Sequence, residues 1–156
     1  MLTIEVFGND LYEIKHLVLD YNGTLARDGV LLEGVSSRLQ SLSPTLNIHV
    51  ISADTFGTVQ EQLSGIDCTI KIISSQEQDQ AKAEFIEELN PRNVAAIGNG
   101  RNDVLMIKKS RLGMVVLGEE GAAGAALGAA DIVGTNICHL LDLLLHPFRL
   151  KATLRN

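Results

Sequence analysis

The sequence predicts an α/β fold, a largely parallel sheet between two layers of helices in a three-layer, Rossmann-like sandwich, and three observations carry that reading. Short aliphatic or β-branched runs alternate with helical patterns along the 156 residues, as successive βα units require. Runs such as HLVLD, VAAIG and GMVVL are apolar almost throughout, the pattern of strands covered on both faces. Hydrophobic residues make up 46% of the chain and aromatic ones 4%, so Val, Ile, Leu and Ala must fill the core.

The elements follow in order. TIEVF and HLVLD are predicted as the first strands, Val35 to Leu42 as a helix with apolar residues on one face, NIHVISA as a strand and Thr58 to Leu63 as a helix. CTIKII is the next strand, then a helix from Gln80 to Leu89, the strand VAAIG, a helix from Asp103 to Lys109 and the strand GMVVL. A small-residue helix around Gly124, the strand DIVG and the helix ICHLLDLLL complete the pattern, the last continuing as one amphipathic end through HPFRLKATLR. ARDGVLLEG carries a D-G turn between strand-like pieces and predicts a small hairpin over the sheet end, with no larger cap. GEEGAAGAALGAAD is too short and too closely flanked by apolar pattern to be a linker. Residues 1–156 are therefore expected to form a single domain, as is usual for about 100 to 200 residues.

Thirteen basic and nineteen acidic side chains leave a formal charge of −6, which speaks against binding a nucleic-acid backbone or an anionic membrane surface. No apolar run reaches the roughly 18 residues of a membrane span, and MLTIEVFGND has no signal-peptide pattern, so a soluble cytoplasmic protein is expected. Cys68 and Cys138 lack metal-ligand or paired spacing and are expected to be buried, reduced and inert. His16, His49, His139 and His146 fall in or beside strands and the last helix, where a structural role is expected.

In a parallel sheet, ligands sit beyond the carboxyl ends of the strands, and those places are polar here. After HLVL comes Asp20-Tyr21-Asn22-Gly23-Thr24, a carboxylate at a strand end followed by a glycine turn whose amides can approach an anion. NIHVIS ends on Ser52, a hydroxyl donor followed by Ala53, with Asp54 placed to cap the next helix. Lys82 lies near the start of its helix, where an ammonium opposes the helix dipole and an anionic partner would explain it. VAAI leads into Gly98-Asn99-Gly100-Arg101-Asn102-Asp103, whose oxygen ligands suit Mg²⁺, a cation that takes one or two carboxylates with waters and phosphate oxygens. Each piece alone is equally well explained by turns, caps or a solvated helix face.

Together, in this order, they resemble the haloacid dehalogenase superfamily of phosphoryl-transfer enzymes, over about Leu17 to Val133, and in particular the phosphorylation domain of P-type ATPases. LVLDYNGTL resembles the D-K-T-G-T-L loop, ISADTFGTVQEQLSGI the T-G-D loop, and GNGRNDVLMIKKSRLGMVV the G-D-G-x-N-D loop. The resemblance implies that Asp20 is the phosphorylated aspartate, that Thr24 and Ser52 donate to phosphoryl oxygens, and that Lys82 neutralises their charge. Gly23, Ala53 and Asn102 would complete the phosphate site. Mg²⁺ would be held by Asp20, the Asn22 backbone carbonyl, Asn99 and Asp103.

Only 27 residues separate Thr24 from Ser52, too few for the nucleotide-binding domain of the pumps, so the likeness is to a stand-alone, capless member. Two positions depart from the family. Asn22 stands where its phosphatases carry the Asp that shuttles protons, which predicts slow turnover because such groups contribute about 10²- to 10⁴-fold. Asn99 replaces an acidic Mg²⁺ ligand, which predicts weaker metal binding. The expected function is Mg²⁺-dependent phosphoryl transfer or phosphate-ester hydrolysis through an aspartyl phosphate at Asp20, on a phosphorylated small molecule or a phosphoprotein. The alternatives are a catalytically impaired binding or regulatory module, and a tetrameric enzyme like the capless sugar-acid phosphatases, with the hairpin and neighbouring subunits covering the site. Self-association through the last helix is compatible with either.

Overall fold

The computed structural model describes residues 1–6, 10–54 and 57–155. Strands β1 (Leu2–Val6) and β2 (Asp10–Ile14) form an antiparallel hairpin apart from the main sheet, and Phe7, expected to end the first strand, lies outside the described residues. The chain then runs through β3 (His16–Asp20), the two-residue strands β4 (Ala26–Arg27) and β5 (Val30–Leu31), helix α1 (Val35–Leu42), β6 (Asn47–Ser52), α2 (Thr58–Gln62), β7 (Thr69–Ile72) and α3 (Gln78–Glu88). After them come β8 (Val94–Gly98), α4 (Val104–Lys109), β9 (Leu112–Val116), α5 (Gly124–Leu127), β10 (Ile132–Gly134), α6 (Ile137–Leu145) and α7 (Pro147–Leu154).

Six of these strands form one sheet in the order β10-β9-β8-β3-β6-β7, every neighbouring pair parallel. Alternation along β3 shows why helices cover both faces. Leu17 and Leu19 point into a core with Leu39 of α1, Val59 of α2 and Leu140 and Leu144 of α6, whereas Val18 packs on the other face with Ile86 of α3, Ile107 of α4 and Ala126 of α5. Three layers result, as predicted. Helices α1 and α6 are further joined by Arg38, whose Nε and Nη2 donate to the two Asp142 carboxylate oxygens at 2.7 and 3.0 Å.

Strand β2 is the element that sequence periodicity left out. DLYEI alternates over only five residues, and what stabilises it lies elsewhere: β1 pairs along its length, and the Arg111 guanidinium sits 3.9 Å above the Tyr12 ring. The expected single amphipathic end is two helices, because α6 closes at His146 and Pro147 opens α7, a position where a missing N–H and a fixed φ suit a helix start but not a helix interior. Both cysteines are free, as expected, but only half-buried. His16 Nδ1 and His49 Nε2 meet at 3.1 Å across β3 and β6, and burial lowers the His49 pKa to about 4.

ARDGVLLEG forms the predicted hairpin. Asp28 and Gly29 both adopt positive φ, 51° and 79°, as a two-residue turn between tightly twisted strands demands.

Candidate active site

Strand register brings three of the predicted pieces level. Asp20 pairs with Ile51 and Leu19 with Ile97, so Ser52 and Gly98 stand one step along, flanking Asp20 at the carboxyl end of the sheet. The sheet order also reverses here. From β3 the chain moves out through β6 and β7, then returns to β8 on the opposite side, and such a reversal opens a crevice at the strand ends.

The chain turns immediately after Asp20. The N–H groups of Thr24, Leu25 and Ala26 all donate to the Tyr21 carbonyl, at 3.2, 2.8 and 3.0 Å. Gly23 makes this turn possible: its φ is +80°, and a Cβ there would lie 2.6 Å from Asn99 Nδ2. The turn carries Thr24 back over the strand end, where its Oγ1 donates to Asp20 Oδ2 at 3.2 Å and lies 3.5 Å from Asn99 Oδ1.

Lys82, one turn into α3, is 1% exposed, and its Nζ donates to Asp20 Oδ1 and to Asp103 Oδ1, each at 2.6 Å. Asp103 is wholly buried, and its other oxygen accepts the N–H groups of Asn99 at 2.9 Å and Gly100 at 2.8 Å. Gly98 leaves the room for this carboxylate, since a Cβ would stand 2.5 Å from Asp103 Cγ.

One ammonium thus serves two buried carboxylates. Burial, then repulsion from Asp103, pushes the Asp20 pKa up to about 7 against the opposing pull of Lys82 and Thr24. Burial works against the Lys82 ammonium, but Asp20 and Asp103 outweigh it and its pKa is raised. The two shifts describe one imbalance: the lysine has two partners, and each carboxylate has half of one. A site with one negative charge too many is poised to receive a cation or to lose the charge by bonding.

The remaining predicted residues surround this cluster. Ser52 is buried, and its Oγ accepts the Asp54 N–H at 3.0 Å, a bond that does not use the hydroxyl hydrogen. Asp54 Oδ2 accepts the Val59 N–H at 3.3 Å in the first turn of α2, but the N-cap position, expected for Asp54, is Gly57. Asn22 is exposed, and with Tyr21, Asp28, Ala53, Asp54 and Thr58 it lines an open cleft of about 510 Å³. Asn102 is drawn away, its Nδ2 donating to Gln78 Oε1 at 2.8 Å. Two groups were missed by the sequence reading, Gln78 and the Gly121 carbonyl, which accepts from Asn99 Nδ2 at 3.1 Å and so turns Asn99 Oδ1 toward Thr24. A backbone carbonyl far along the chain leaves no signature in sequence.

Among the described residues no group of three or more His, Cys, Asp or Glu side chains forms a metal cluster. Mg²⁺ does not need one, because it is commonly held by one or two carboxylates together with neutral oxygens, waters and substrate phosphate. The Asp20 carboxylate and the Asn99 amide oxygen, both reached by Thr24 Oγ1, form a donor set of that kind. The oxygens of both carboxylates are hydrogen-bonded, but the Asp103 side chain is wholly buried on Lys82 and two backbone N–H groups, whereas the Asp20 side chain, bonded to Lys82 and Thr24, keeps 12% exposure and is the carboxylate that such a cation would meet first.

No family model matches the chain. It is 46% identical over 80 residues to the uncharacterized protein MJ0073 of Methanocaldococcus jannaschii, covering 49% of this chain and 86% of that protein. It is 36% identical over 77 residues to the phospholipid-transporting ATPase NEO1 of Saccharomyces cerevisiae, covering 47% of this chain but 6% of the ATPase. In three dimensions it resembles the 3-deoxy-D-manno-octulosonate 8-phosphate phosphatase of Moraxella catarrhalis, solved with magnesium, phosphate and the sugar acid, with a TM-score of 0.72 at 16% identity over 87% of this chain and 88% of that one.

Proposed function

We propose, for a chain that belongs to the family of the Methanocaldococcus jannaschii protein and has the haloacid dehalogenase fold, Mg²⁺-dependent phosphoryl transfer through a phosphoaspartate at Asp20. The observation that carries the proposal is the buried chain Asp20–Lys82–Asp103, with 2.6 Å at each link, lying at the sheet reversal beside Thr24. Phosphoryl transfer asks a protein chiefly for positioning and for charge to set against the phosphoryl oxygens.

In this reading an Asp20 carboxylate oxygen bonds to phosphorus while the bond from phosphorus to the donor oxygen breaks, its electron pair leaving with that oxygen. Thr24, Ser52 and the Lys82 ammonium donate to the phosphoryl oxygens, assisted by the Ala53 amide; the Gly23 N–H, expected to join them, is held by the Ala26 carbonyl at 2.8 Å. Asp103 is a positioning residue that holds Lys82, and Asn102 fixes the loop through Gln78 rather than touching phosphate. Mg²⁺ would be held by Asp20, the Asn22 backbone carbonyl and Asn99, and when bound it would neutralise charge on the phosphoryl group. The substrate is a phosphorylated small molecule or a phosphoprotein.

The test is incubation with acetyl phosphate and Mg²⁺ followed by peptide mass spectrometry, alongside thermal unfolding with Mg²⁺ and beryllofluoride. Phosphate on Asp20 and a raised unfolding temperature, both lost in Asp20→Ala, are the expected results. An unmodified Asp20 and an unchanged unfolding temperature would defeat the proposal.

A second reading draws on the β4–β5 hairpin, whose Val30 is 61% exposed beside the site. If subunits cover one another's sites, as expected for an enzyme like the capless sugar-acid phosphatases, the protein assembles as a tetramer; a monomer by native mass spectrometry would remove this option.

A further inference from the structure

We propose that the chain carries a second anion site, a basic cleft at the amino ends of β8 and β9, which takes small ligands bearing phosphate groups, diphosphates above all. This second site is independent of the phosphoryl-transfer reading. Strand β8 has five residues, so roughly 16 Å of strand lies between this end of the sheet and Gly98 beside Asp20.

The chain as a whole has a formal charge of −6, yet cations gather here. Among the described residues, a cleft of about 340 Å³ is lined by Arg92, Lys108, Lys109 and Arg111 and by one carboxylate, Asp131. Arg92 and Arg111 also border a neighbouring cleft of about 600 Å³ on the side of Leu11 and Glu13. Lys109 Nζ donates to Glu87 Oε1 at 2.7 Å, and Asp131 Oδ2 accepts the Gly113 N–H at 2.8 Å. The Arg92 guanidinium and the Lys108 ammonium, both exposed, have no hydrogen-bond or ion-pair partner among the described residues.

Both arginines stand on backbone that is tied down. Arg92 lies in a single 3-10 turn, Pro91–Asn93, where Asn90 Oδ1 accepts the Arg92 N–H at 3.3 Å and Asn90 Nδ2 donates to Asn93 Oδ1 at 3.2 Å. Asn93 Nδ2 in turn donates to the Glu13 carbonyl at 2.7 Å. The Arg111 N–H donates to the Pro91 carbonyl at 2.9 Å, which joins the two arginine-bearing loops. The Tyr12 ring, 3.9 Å beneath the Arg111 guanidinium, limits where that side chain can go.

Cations gathered round one cleft repel one another, and a bound anion relieves that repulsion. A guanidinium presents paired N–H donors that match two oxygens of one phosphate, and an ammonium adds a compact charge for the next. Arg92, Arg111 and Lys108 together therefore suit a ligand with two phosphate groups better than a single carboxylate. The site is a concave cleft rather than a broad basic face, so a small anion fits it where a membrane surface or a nucleic-acid backbone does not.

The test is titration of the isotope-labelled full chain with pyrophosphate in about 0.15 M NaCl and EDTA, followed through backbone amide chemical shifts. EDTA keeps Mg²⁺ from bridging the anion to Asp20, whose cluster already holds an excess of negative charge. Saturable shifts are expected at Arg92, Asn93, Lys108, Lys109 and Arg111, with Thr24, Ser52 and Asn99 unmoved. In the double variant Arg92→Gln with Lys108→Gln, neither side chain has a structural partner to lose, and the dissociation constant should rise by about tenfold or more. Arg155→Gln should leave it unchanged. Citrate, an anion whose charge is carried by carboxylates, should bind several-fold more weakly than pyrophosphate. Shifts that fail to saturate, an unchanged constant in the double variant, a constant raised equally by Arg155→Gln, or citrate binding as tightly as pyrophosphate would each overturn the proposal. So would saturable shifts confined to Thr24, Ser52 and Asn99, which would put the anion at Asp20 instead.

Discussion

Asp20→Asn should make the protein more stable while removing its proposed chemistry. With Asp20, Lys82 and Asp103 all ionised, the buried cluster carries one uncompensated negative charge. The fold raises the Asp20 pKa from 3.8 to about 7, which corresponds to about 4 kcal/mol against the ionised carboxylate at neutral and alkaline pH. The amide loses charge-assisted character in the hydrogen bonds to Lys82 and Thr24, which offsets roughly 1–2 kcal/mol. A net gain of about 2–3 kcal/mol remains, or roughly 4–12 °C in unfolding temperature for a chain of this size. The pH dependence follows from the sign of the shift. A carboxyl raised on folding contributes stability that is fully present below about 3.8 and is lost as pH rises through about 7. The gap between variant and wild type should therefore be widest above pH 7 and close toward pH 4. Calorimetric unfolding of both proteins at pH 8 and pH 5, with EDTA present, measures this. A variant less stable than wild type at pH 8, or a gap that does not narrow on acidification, would refute the charge imbalance.

Gly98→Ala should destabilise the fold by about 1–3 kcal/mol, because the new Cβ would stand 2.5 Å from Asp103 Cγ and the carboxylate must leave its two amides and Lys82; urea unfolding should show a lowered midpoint. Asn99→Asp should tighten Mg²⁺ binding by roughly tenfold, about 1.4 kcal/mol, since it returns a carboxylate to the oxygen donors beside Asp20; isothermal titration calorimetry reads the change. The His49 pKa is lowered on folding from 6.5 to about 4, first by burial and then by His16. The unfolded chain takes up that proton first, so stability should fall by about 1–2 kcal/mol between pH 6.5 and pH 4, after discounting for solvent at this half-buried position. In His49→Gln that component should vanish from the pH profile of unfolding.

Much of the site was legible because its residues sit where strands end. Asp20, Ser52 and Asn99 each follow an apolar run, and a parallel sheet places such positions along one edge whatever the details of packing. Lys82 was legible for a different reason: its charge runs against the helix dipole, and the structure shows the two carboxylates that compensate it. Asn102 was not readable in this way, because its partner, Gln78, lies 24 residues away on another helix. Asp103 was assigned to Mg²⁺ through the resemblance, and the structure adds what the sequence did not carry, the Lys82 ammonium and two backbone N–H groups that its oxygens accept.

The sequence by itself determined the layers, the placement of polar residues at the strand ends and the hairpin at its D-G turn, because periodicity of apolar residues and turn stereochemistry are local properties that survive without coordinates. Tertiary structure alone decided the strand order and register that set Asp20 level with Ser52 and Gly98. It also decided the sharing of one lysine between two buried carboxylates. Those depend on which distant segments meet in a water-poor interior, where a few ångströms separate a compensated charge from an uncompensated one.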